Sequence, residues 1–304
     1  PVQPVQGFLA TAGSGVPVRV KVVDNCGEPL IWGAVTARLS AGDGVQGALT
    51  HLGEGVWSGD VAVPGTASST QLKLEIQADS DVLYRGQAAV YGAADDTVAI
   101  PEIVDDGVLS LSTYLEGQPL APGGLVAAFG TNLSDRTAST FPPAASLGGA
   151  VAFLSSPAAG LGTVPLFFAS PGQINGELPR DVLGGVTRQM VVQRGGQISR
   201  PVEVALAAVQ PGIFTVNQQG TGQGAIQDAS TTAELGVGVL AAPGTPVGRG
   251  RVIAIYCEGL GRTSPEVENG TPAPSSEPLA RTVNPVTVTV GGRPAEVLYS
   301  GLAP

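Results

Sequence analysis

The sequence lacks most of the side chains that catalysis and metal binding usually need. Its 304 residues include one histidine, His51, and two cysteines, Cys26 and Cys257. A single histidine without identifiable partners does not form a catalytic triad. Neither cysteine has a histidine or another cysteine at zinc-ligand spacing, and no Gly-x-Ser-x-Gly elbow or phosphate-binding loop occurs. We therefore predict that the protein is not an enzyme and has no cofactor.

Positive charge and long apolar runs are also scarce. The formal net charge is −10 and the sequence pI is near 4.5, so no basic face for nucleic acid is expected. No apolar run approaches the roughly 20 residues of a membrane-spanning helix. Two cysteines in separate predicted domains do not indicate a disulfide framework. The chain begins at Pro1 and not at a methionine, which we interpret as a processed or partial product, and we expect a secreted or cell-surface protein.

Turn-forming and apolar residues are abundant instead. The sequence has 44 glycines and 25 prolines, yet 43% of its residues are hydrophobic and only 13% are charged. This combination disfavours disorder, which requires low hydrophobicity and high charge. Lysine occurs only at Lys21 and Lys73, and Val, Thr and Ile dominate the apolar runs, which disfavours helices. The composition predicts an all-β fold made of many short strands.

Residues 1–94 have the pattern of an immunoglobulin-like β-sandwich. Strict alternation of apolar and polar side chains indicates half-buried strands, and Trp57 is available for the core. Pro- and Gln-rich residues 1–13 are predicted to form an extended arm, and residues 95–118 a linker to the next unit. The predicted strands of the sandwich span residues 16–23, 34–39, 55–63, 71–77 and 84–91.

The stretch from Val164 to Pro179 predicts two strands joined by a tight corner. Its apolar run is followed by Ser170-Pro171-Gly172 and then by an alternating segment that contains Ile174 and Leu178. Turn residues between two such runs are typical of adjacent strands. A hairpin with strands 187–193 and 197–206 is predicted next, because the two intervening glycines suit a tight turn.

The second half of the chain repeats a pattern from the first. Gly250–Leu260 matches Gly124–Leu133, with Tyr256 aligned on Phe129, and Val297–Pro304 matches the beginning of Val164–Pro179. A repeat of this length indicates two copies of one β-module. We predict a first module over residues 119–210, a Gly-rich connection over 211–245 and a second module over 246–304.

Several of these segments, in order, resemble the Solibacter-type C-terminal domain family of uncharacterised secreted acidobacterial proteins. The resemblance covers about residues 108–304, and it implies two TIG-type immunoglobulin-like modules preceded by a bacterial Ig-like domain. It implies no catalytic residues, because the family supplies none. The segments that carry it are PLAPGGLVAAFGTNLS (119–134), SLGG (146–149), PLFFASPGQINGELP (165–179), AVQPGIFT (208–215), GQGAI (222–226), VIAIYCEGLG (252–261) and VTVGGRPAEVLYSGLAP (288–304).

The second module is expected to lack its final strand, since the repeat stops before a counterpart of 173–178. An incomplete sandwich leaves unpaired backbone groups beside an apolar groove. Either the polypeptide continues, or a strand from another chain fills the gap by β-augmentation, and repeated head-to-tail exchange would build a filament. The predicted assembly edge is Val297, Leu298, Tyr299 and Leu302, and the predicted donor arm is Val2, Val5, Phe8 and Leu9.

Two further sites are hypotheses based on residue type. The acidic turns 105–107 and 79–81 provide carboxylates of the kind that Ca²⁺ prefers, although polar turns are a commoner explanation. Trp32, Trp57, Tyr84 and Tyr91 could stack on a sugar, although an Ig-like core uses at least one tryptophan structurally.

Three interpretations of function follow. The leading one is a non-enzymatic extracellular structural or adhesive protein of tandem Ig-like domains, which assembles with itself or with other surface proteins. The alternative is a carbohydrate-binding module array, with polysaccharide as partner. The third is an enzyme, which would require a pocket with convergent ionisable groups.

Overall fold

The computed structural model describes residues 3–40, 46–65, 71–80, 84–95, 99–156, 160–182, 184–231 and 239–303. In these ranges the chain forms 26 β-strands and one short 3-10 helix, Ala229–Thr231. The predicted all-β fold of tandem immunoglobulin-like sandwiches is confirmed by this strand content and by the sheet order. None of the described helical structure has the length and hydropathy of a membrane span.

The first sandwich contains seven strands in the order β1-β7-β6-β3-β4-β5-β2. Val16, Val18 and Val20 are buried while Arg19 and Lys21 are exposed, so the predicted alternation is confirmed. The strands are β1 (Phe8–Thr11), β2 (Gly15–Lys21), β3 (Ala34–Leu39), β4 (Gln46–Gly53), β5 (Val56–Ala62), β6 (Gln71–Ser80) and β7 (Tyr84–Asp95).

A single hydrophobic cluster fills this sandwich. Trp57 is 5% exposed, and its indole N–H donates to the carbonyl oxygen of Leu30 at 3.2 Å. The indole therefore buries its ring without leaving its polar atom unpaired. Val18, Leu39, Leu72 and Leu74 are fully buried in the same cluster.

Residues 8–11 are not a free arm. β1 pairs in parallel with β7, with Phe8 opposite Gly92, and Phe8 is buried in the core. Gln3 and Arg19 also exchange two backbone hydrogen bonds. A Cβ at position 92 would lie 2.3 Å from the carbonyl oxygen of Phe8, so glycine is what permits this close approach. The arm predicted over residues 1–13 is thus a paired strand over residues 8–11, which the sequence did not indicate because a parallel pairing has no local turn signal.

The second sandwich has two sheets, with orders β10-β13-β14-β9-β8 and β12-β11-β15-β16, and β17 pairs with β15. β8 lies within residues 95–118, so the segment that we expected to be a linker contributes an edge strand. Apolar and polar side chains alternate only weakly along β8, so the sequence did not indicate a strand there. The strands are β8 (Glu102–Ser110), β9 (Leu125–Thr131), β10 (Ala138–Ala144), β11 (Ala150–Ser156), β12 (Gly160–Val164), β13 (Leu166–Ser170), β14 (Gln173–Glu177), β15 (Val186–Arg194), β16 (Gln197–Ile198) and β17 (Val202–Leu206).

The predicted corner is confirmed, and the predicted hairpin is confirmed at its turn, although its second strand, predicted over 197–206, is divided into β16 and β17. β13 and β14 are joined by a turn in which the Ser170 hydroxyl accepts a hydrogen bond from the Gln173 amide at 3.0 Å. Gly195 and Gly196, between β15 and β16, have φ values of 56° and 83°, which a tight hairpin turn requires.

The remaining strands are short. β18 pairs with β22, β19 lies between β20 and β21, β23 pairs with β24, and β25 pairs with β26. The strands are β18 (Gly212–Ile213), β19 (Ile226–Asp228), β20 (Val239–Leu240), β21 (Ile253–Ile255), β22 (Cys257–Glu258), β23 (Thr263–Ser264), β24 (Arg281–Thr282), β25 (Val288–Val290) and β26 (Arg293–Ala295).

The chain forms two compact units. Unit 1 comprises residues 1–107, 128–175 and 187–204, and unit 2 comprises residues 108–127, 176–186 and 205–304. The candidate site described below lies entirely within unit 2.

Asp60 on β5 is a buried carboxylic acid in the first sandwich. Its side chain is 5% exposed, its Oδ1 atom has no hydrogen-bond partner, and burial raises the pKa of Asp60 to about 6. Because the folded pKa lies above the ordinary value of 3.8, the fold favours the protonated acid. The contribution of Asp60 to folding stability is therefore fully present below pH 3.8 and is lost as the pH rises through about 6.

Replacing Asp60 by Asn should remove this pH dependence. We expect the unfolding free energy of the variant, relative to wild type, to rise by about 3 kcal/mol between acidic and neutral pH. Urea unfolding followed by Trp57 fluorescence at several pH values measures it. Asp106→Asn, at an exposed position, is the control. Equal pH slopes for wild type and Asp60→Asn would contradict the assignment.

Candidate functional site

Unit 2 contains a cleft with a volume of about 600 Å³. It is lined by the beginning of β9, by the segment after β14, by β22 and the residues after it, and by the end of the chain. Residues from both copies of the repeat thus line one cleft. Its lining includes Leu125, Glu177, Arg180, Asp181, Cys257, Glu258, Asn269, Gly301, Leu302 and Ala303.

Cys257 and Glu258, which line the cleft, end a strand segment over residues 253–258 that has a partner on one side only in the described part of the chain. Gln227 lies opposite Ala254 in the antiparallel β19–β21 pair, and Tyr256 N–H donates to the carbonyl oxygen of Ala225 at 3.0 Å. Successive residues of a strand direct their N–H and C=O groups to opposite sides. The backbone groups of Ile253, Ile255 and Cys257 therefore point away from β18 and β19. In the described part of the chain, no strand lies on that side.

The facing wall is formed by residues 299–303, which are also paired on one side. Thr282 N–H donates to the carbonyl oxygen of Ser300 at 3.0 Å, and Leu302 N–H donates to that of Ala280 at 2.9 Å. By the same alternation, Gly301 and Ala303 direct their backbone groups towards the cleft. We refer to the unpaired side of residues 253–257, together with the cleft that Cys257 shares with residues 301–303, as the open strand position.

The first copy of the repeat has a strand in the equivalent place. β9, the counterpart of Ile253–Cys257, and β13, the counterpart of residues 299–303, lie on either side of β14 in their sheet. Gly130 N–H donates to the carbonyl oxygen of Gly172 at 3.0 Å, and Leu178 N–H donates to that of Gly124 at 2.9 Å. By the predicted alignment of the two copies, the open strand position corresponds to the place that β14 occupies in the first copy.

A polar network holds the segment after β14 against the loop 268–271 of the second copy. Arg180 forms an ion pair with Glu177, its amide donates to Asn269 Oδ1 at 2.7 Å, and its guanidinium donates to the Glu268 carbonyl oxygen at 3.1 Å. Asn269 Nδ2 donates to Asp181 Oδ1 at 3.0 Å. Burial raises the pKa of Glu177, although the charge of Arg180 opposes this shift. These contacts fix one end of the cleft.

Glu258 joins β22 to the first copy. Its Oε1 atom accepts hydrogen bonds from the Ser110 hydroxyl at 2.5 Å and the Ser112 amide at 3.1 Å. Its Oε2 atom accepts one from the Leu125 amide at 2.5 Å. The Ser112 amide also donates to the Ser110 hydroxyl oxygen at 3.1 Å. The carboxylate thus accepts three hydrogen bonds, and hydrogen bonds to charged groups are stronger than neutral ones. Beside it, burial and the charge of Glu258 raise the pKa of the Cys257 thiol.

The residues of the predicted assembly edge lie beside the cleft and are partly occupied. Tyr299 is 42% exposed, its hydroxyl donates to the Leu302 carbonyl oxygen at 3.0 Å, and the Arg281 guanidinium lies 5.0 Å from its ring centre. Leu302 lines the cleft, while Val297 and Leu298 are exposed on the surface. Ile253, Ile255 and Cys257, whose unpaired side faces no strand in the described ranges, were not singled out by the sequence analysis. The alignment of Tyr256 with Phe129 was the signal that could have identified them.

The predicted donor arm is divided between the surface and the core. Val5 is 69% exposed and Leu9 78% exposed, but Phe8 is buried in its own sandwich. Val2 lies outside the described residues. Donation of this arm to another chain would require β1 to leave β7.

The predicted sugar-stacking aromatics do not form one surface. Trp57 is buried and Trp32 is 70% exposed. Tyr91 pairs with Lys73, whereas Ala34, two residues after Trp32, pairs with Asp79. Lys73 and Asp79 are six residue steps apart along β6, which corresponds to about 20 Å and is too far for Trp32 and Tyr91 to share one stacking platform. The side chain of Tyr84 lies outside the described residues.

The acidic turns are engaged in ion pairs. Asp105 pairs with Arg200 at 3.0 Å, and Asp79 pairs with Arg85 at 2.8 Å. Arg85 and Gln77 lower the pKa of Asp79 by hydrogen bonding. Asp81 lies outside the described residues. No group of three or more metal-ligand side chains occurs in the described ranges, and calcium binding stays a prediction.

His51 lies beside Trp57, with a ring-centre distance of 4.8 Å. The imidazole Nε2 is buried and has no hydrogen-bond partner. In the described structure this histidine packs against the core indole of Trp57. It does not converge with other ionisable groups there.

No family model matches the chain, and no curated protein matches it. Among solved structures, the tandem Ig repeats of Dlar are similar over 66% of this chain and 93% of theirs, with 11% identity and a TM-score of 0.30. A second similar structure is the Bacteroides ovatus mixed-linkage glucan utilization locus protein SGBP-B, solved in complex with a mixed-linkage heptasaccharide. The match includes 70% of this chain and 49% of that protein, with 11% identity and a TM-score of 0.26. The Yersinia pseudotuberculosis adhesin InvE is covered over 61% by 70% of this chain, at 11% identity and a TM-score of 0.24. Likenesses of this size carry no functional argument, and the resemblance to the Solibacter-type family stays a prediction.

Replacing Glu258 by Gln should destabilise unit 2. The amide offers one acceptor oxygen and places an N–H₂ donor against donors that the carboxylate now satisfies, so we expect a loss of about 2–3 kcal/mol in unfolding free energy. Urea unfolding followed by circular dichroism measures it. Glu116→Gln, at an exposed position in the same unit, should change stability by less than about 0.5 kcal/mol. Equal effects of the two substitutions would contradict the role of Glu258.

Proposed function

We propose that this chain is a non-enzymatic extracellular structural or adhesive protein, and that its second repeat binds a β-strand supplied by another chain. The observation that supports the proposal is the open strand position: residues 253–257 have no strand on one side in the described part of the chain, and Cys257 lies in the same cleft as residues 301–303. The proposal includes self-association, which would produce a surface layer or filament if the contacts are head-to-tail.

The backbone supports strand addition more than binding of a small polar ligand. An exposed edge pairs with any extended chain through main-chain hydrogen bonds, and the adjacent pockets select side chains. Native edges are usually protected by charge, proline or covering loops. Ile253, Ile255 and Cys257 provide none of these devices along the open side.

Strand addition should be blocked by a proline on the open edge. Ile255 directs its N–H away from β19, so Ile255→Pro removes a donor that only an added strand would use, and proline is tolerated at such edge positions. Ala254→Pro is the matched comparison, because Ala254 directs its N–H towards Gln227 and its loss should weaken the β19–β21 pair.

Sedimentation analysis over a range of protein concentrations provides the test. We expect wild type to exceed the monomer mass at high concentration and Ile255→Pro to remain a folded monomer by circular dichroism. A wild-type chain that is monomeric at every concentration would contradict self-association, and assembly unaffected by Ile255→Pro would place it elsewhere.

A further inference from the structure

We propose that the contact between the two sandwiches within unit 1 is a pH-sensitive joint, which closes when the Asp60 carboxyl is protonated and opens when it is ionised. The joint lies within unit 1 and needs no added strand, so it goes beyond the proposed function. It would make the two sandwiches move together in acidic surroundings and separately at neutral pH.

Two sheets of unit 1, one from each sandwich, lie against each other. In the first sandwich β4, β5 and β2 are adjacent in that order, and in the second β12, β11, β15 and β16 are adjacent. β12 contacts β4, and β16 contacts β2. The middle strands β11 and β15 therefore lie over β5.

The two sheets approach closely at Gly15 on β2. A Cβ atom at this position would lie 2.7 Å from the Ser199 carbonyl oxygen and 3.4 Å from Ile198 Cγ2. Nearby, the Thr11 hydroxyl donates to Gln197 Oε1 at 2.6 Å. The contact is thus partly polar. Polar contacts between domains of one chain resemble transient interfaces, and movement at them is the usual expectation.

Asp60 on β5 lies on the face that is turned towards this contact. Trp57 and Val61 are buried in the core of the first sandwich, and side chains alternate along a strand, so Asp60 points away from that core. Ala62, on the same face as Asp60, lies opposite Gly15. Because Asp60 is only 5% exposed, we assign its cover to the sheet of the second sandwich.

The sheet above Asp60 presents apolar side chains. On one face of this sheet Val192, Ala152 and Leu154 are fully buried, as expected for the core of the second sandwich. Val191 lies on the opposite face, which is therefore the face towards β5, and is also buried. A strand that is buried on both faces has a packed layer on each side.

The titratable residues of the strands packed with β5 point elsewhere. β11, β12 and β16 contain none. Those of β15 share the face of Val192, and those of β2 and β3 are exposed. The histidine of β4 packs against Trp57, and Arg200, after β16, pairs with Asp105. The residues on the strands are Arg188 and Arg194 on β15, Arg19 and Lys21 on β2, Arg38 on β3 and His51 on β4.

Ionisation of Asp60 therefore opposes the closed contact. A buried charge without a partner is costly, and Asp60 Oδ1 has no hydrogen-bond partner. Burial raises the pKa of Asp60 from 3.8 to about 6. The contribution of the neutral acid to closure is thus fully present below pH 3.8 and is lost as the pH rises through about 6. Opening the contact returns the carboxylate to water.

Thiol labelling at the contact measures how often the joint opens. In the full-length chain with Cys26→Ser and Cys257→Ser, the substitution Ile198→Cys places the single thiol at the contact. The same chain with Asp60→Asn is the reference, because it cancels the pH dependence of the thiol reaction itself.

The expected readout is the ratio of the labelling rate with Asp60 to the rate with Asp60→Asn. This ratio should rise at least about tenfold between pH 4.5 and pH 8, since a shift from 3.8 to about 6 corresponds to roughly a hundredfold change in the opening equilibrium. A ratio that does not change with pH would overturn the joint. Gln197→Cys, at the neighbouring contact residue, provides the same measurement if Ile198→Cys does not fold.

A thiol in the core separates opening of the joint from unfolding of the first sandwich. Ala37 is 1% exposed and lies in the core cluster, so it stays covered when only the joint opens. The labelling ratio for Ala37→Cys in the same background should remain constant with pH. Equal rises at Ala37→Cys and Ile198→Cys would assign the pH effect to unfolding and would overturn the joint.

Discussion

The structure of unit 2 depends on one property of a β-strand, which carries hydrogen-bonding groups along both of its sides. In the first repeat both sides of β9 are paired, by β8 and by β14. In the second repeat β18 and β19 pair with one side of residues 253–258. Buried backbone groups without partners cost free energy comparable to a lost hydrogen bond. The unpaired side is therefore the feature from which the proposed strand uptake follows.

The open position is a defined cleft because polar contacts hold its walls. Glu258 ties β22 to Ser110, Ser112 and Leu125, while Arg180 ties the end of the first copy to residues 268–271. Each set spans more than 80 residues of sequence. Charged groups with several hydrogen bonds in a partly buried site are strongly directional. The contacts of Glu258 and Arg180 therefore hold the walls of the cleft at a defined separation, which the proposed strand addition requires.

Much of the fold could be predicted from the sequence, because alternation of side chains reports directly on half-buried strands. The alternation at Val16–Lys21 and at β6 gave correct strands, and glycine pairs marked the hairpin turn. β1 and β8 were not identified, since a parallel edge strand and a weakly alternating one depend on distant partners. The site was predictable only in part: the repeat indicated a vacant place, but the direction of each backbone group depends on how β18 and β19 pair. The contacts of Glu258 involve residues more than 130 positions away, which no local pattern reveals.

Residue-resolved amide hydrogen exchange tests the central claim most directly, because exchange reports whether each N–H is paired. The account predicts fast exchange at Ile253, Ile255 and Cys257 and slower exchange at Ala254 and Tyr256, which face β19. Addition of a strand peptide should slow exchange at the first group alone. Equal protection of both groups in the free protein would contradict the existence of an open strand position.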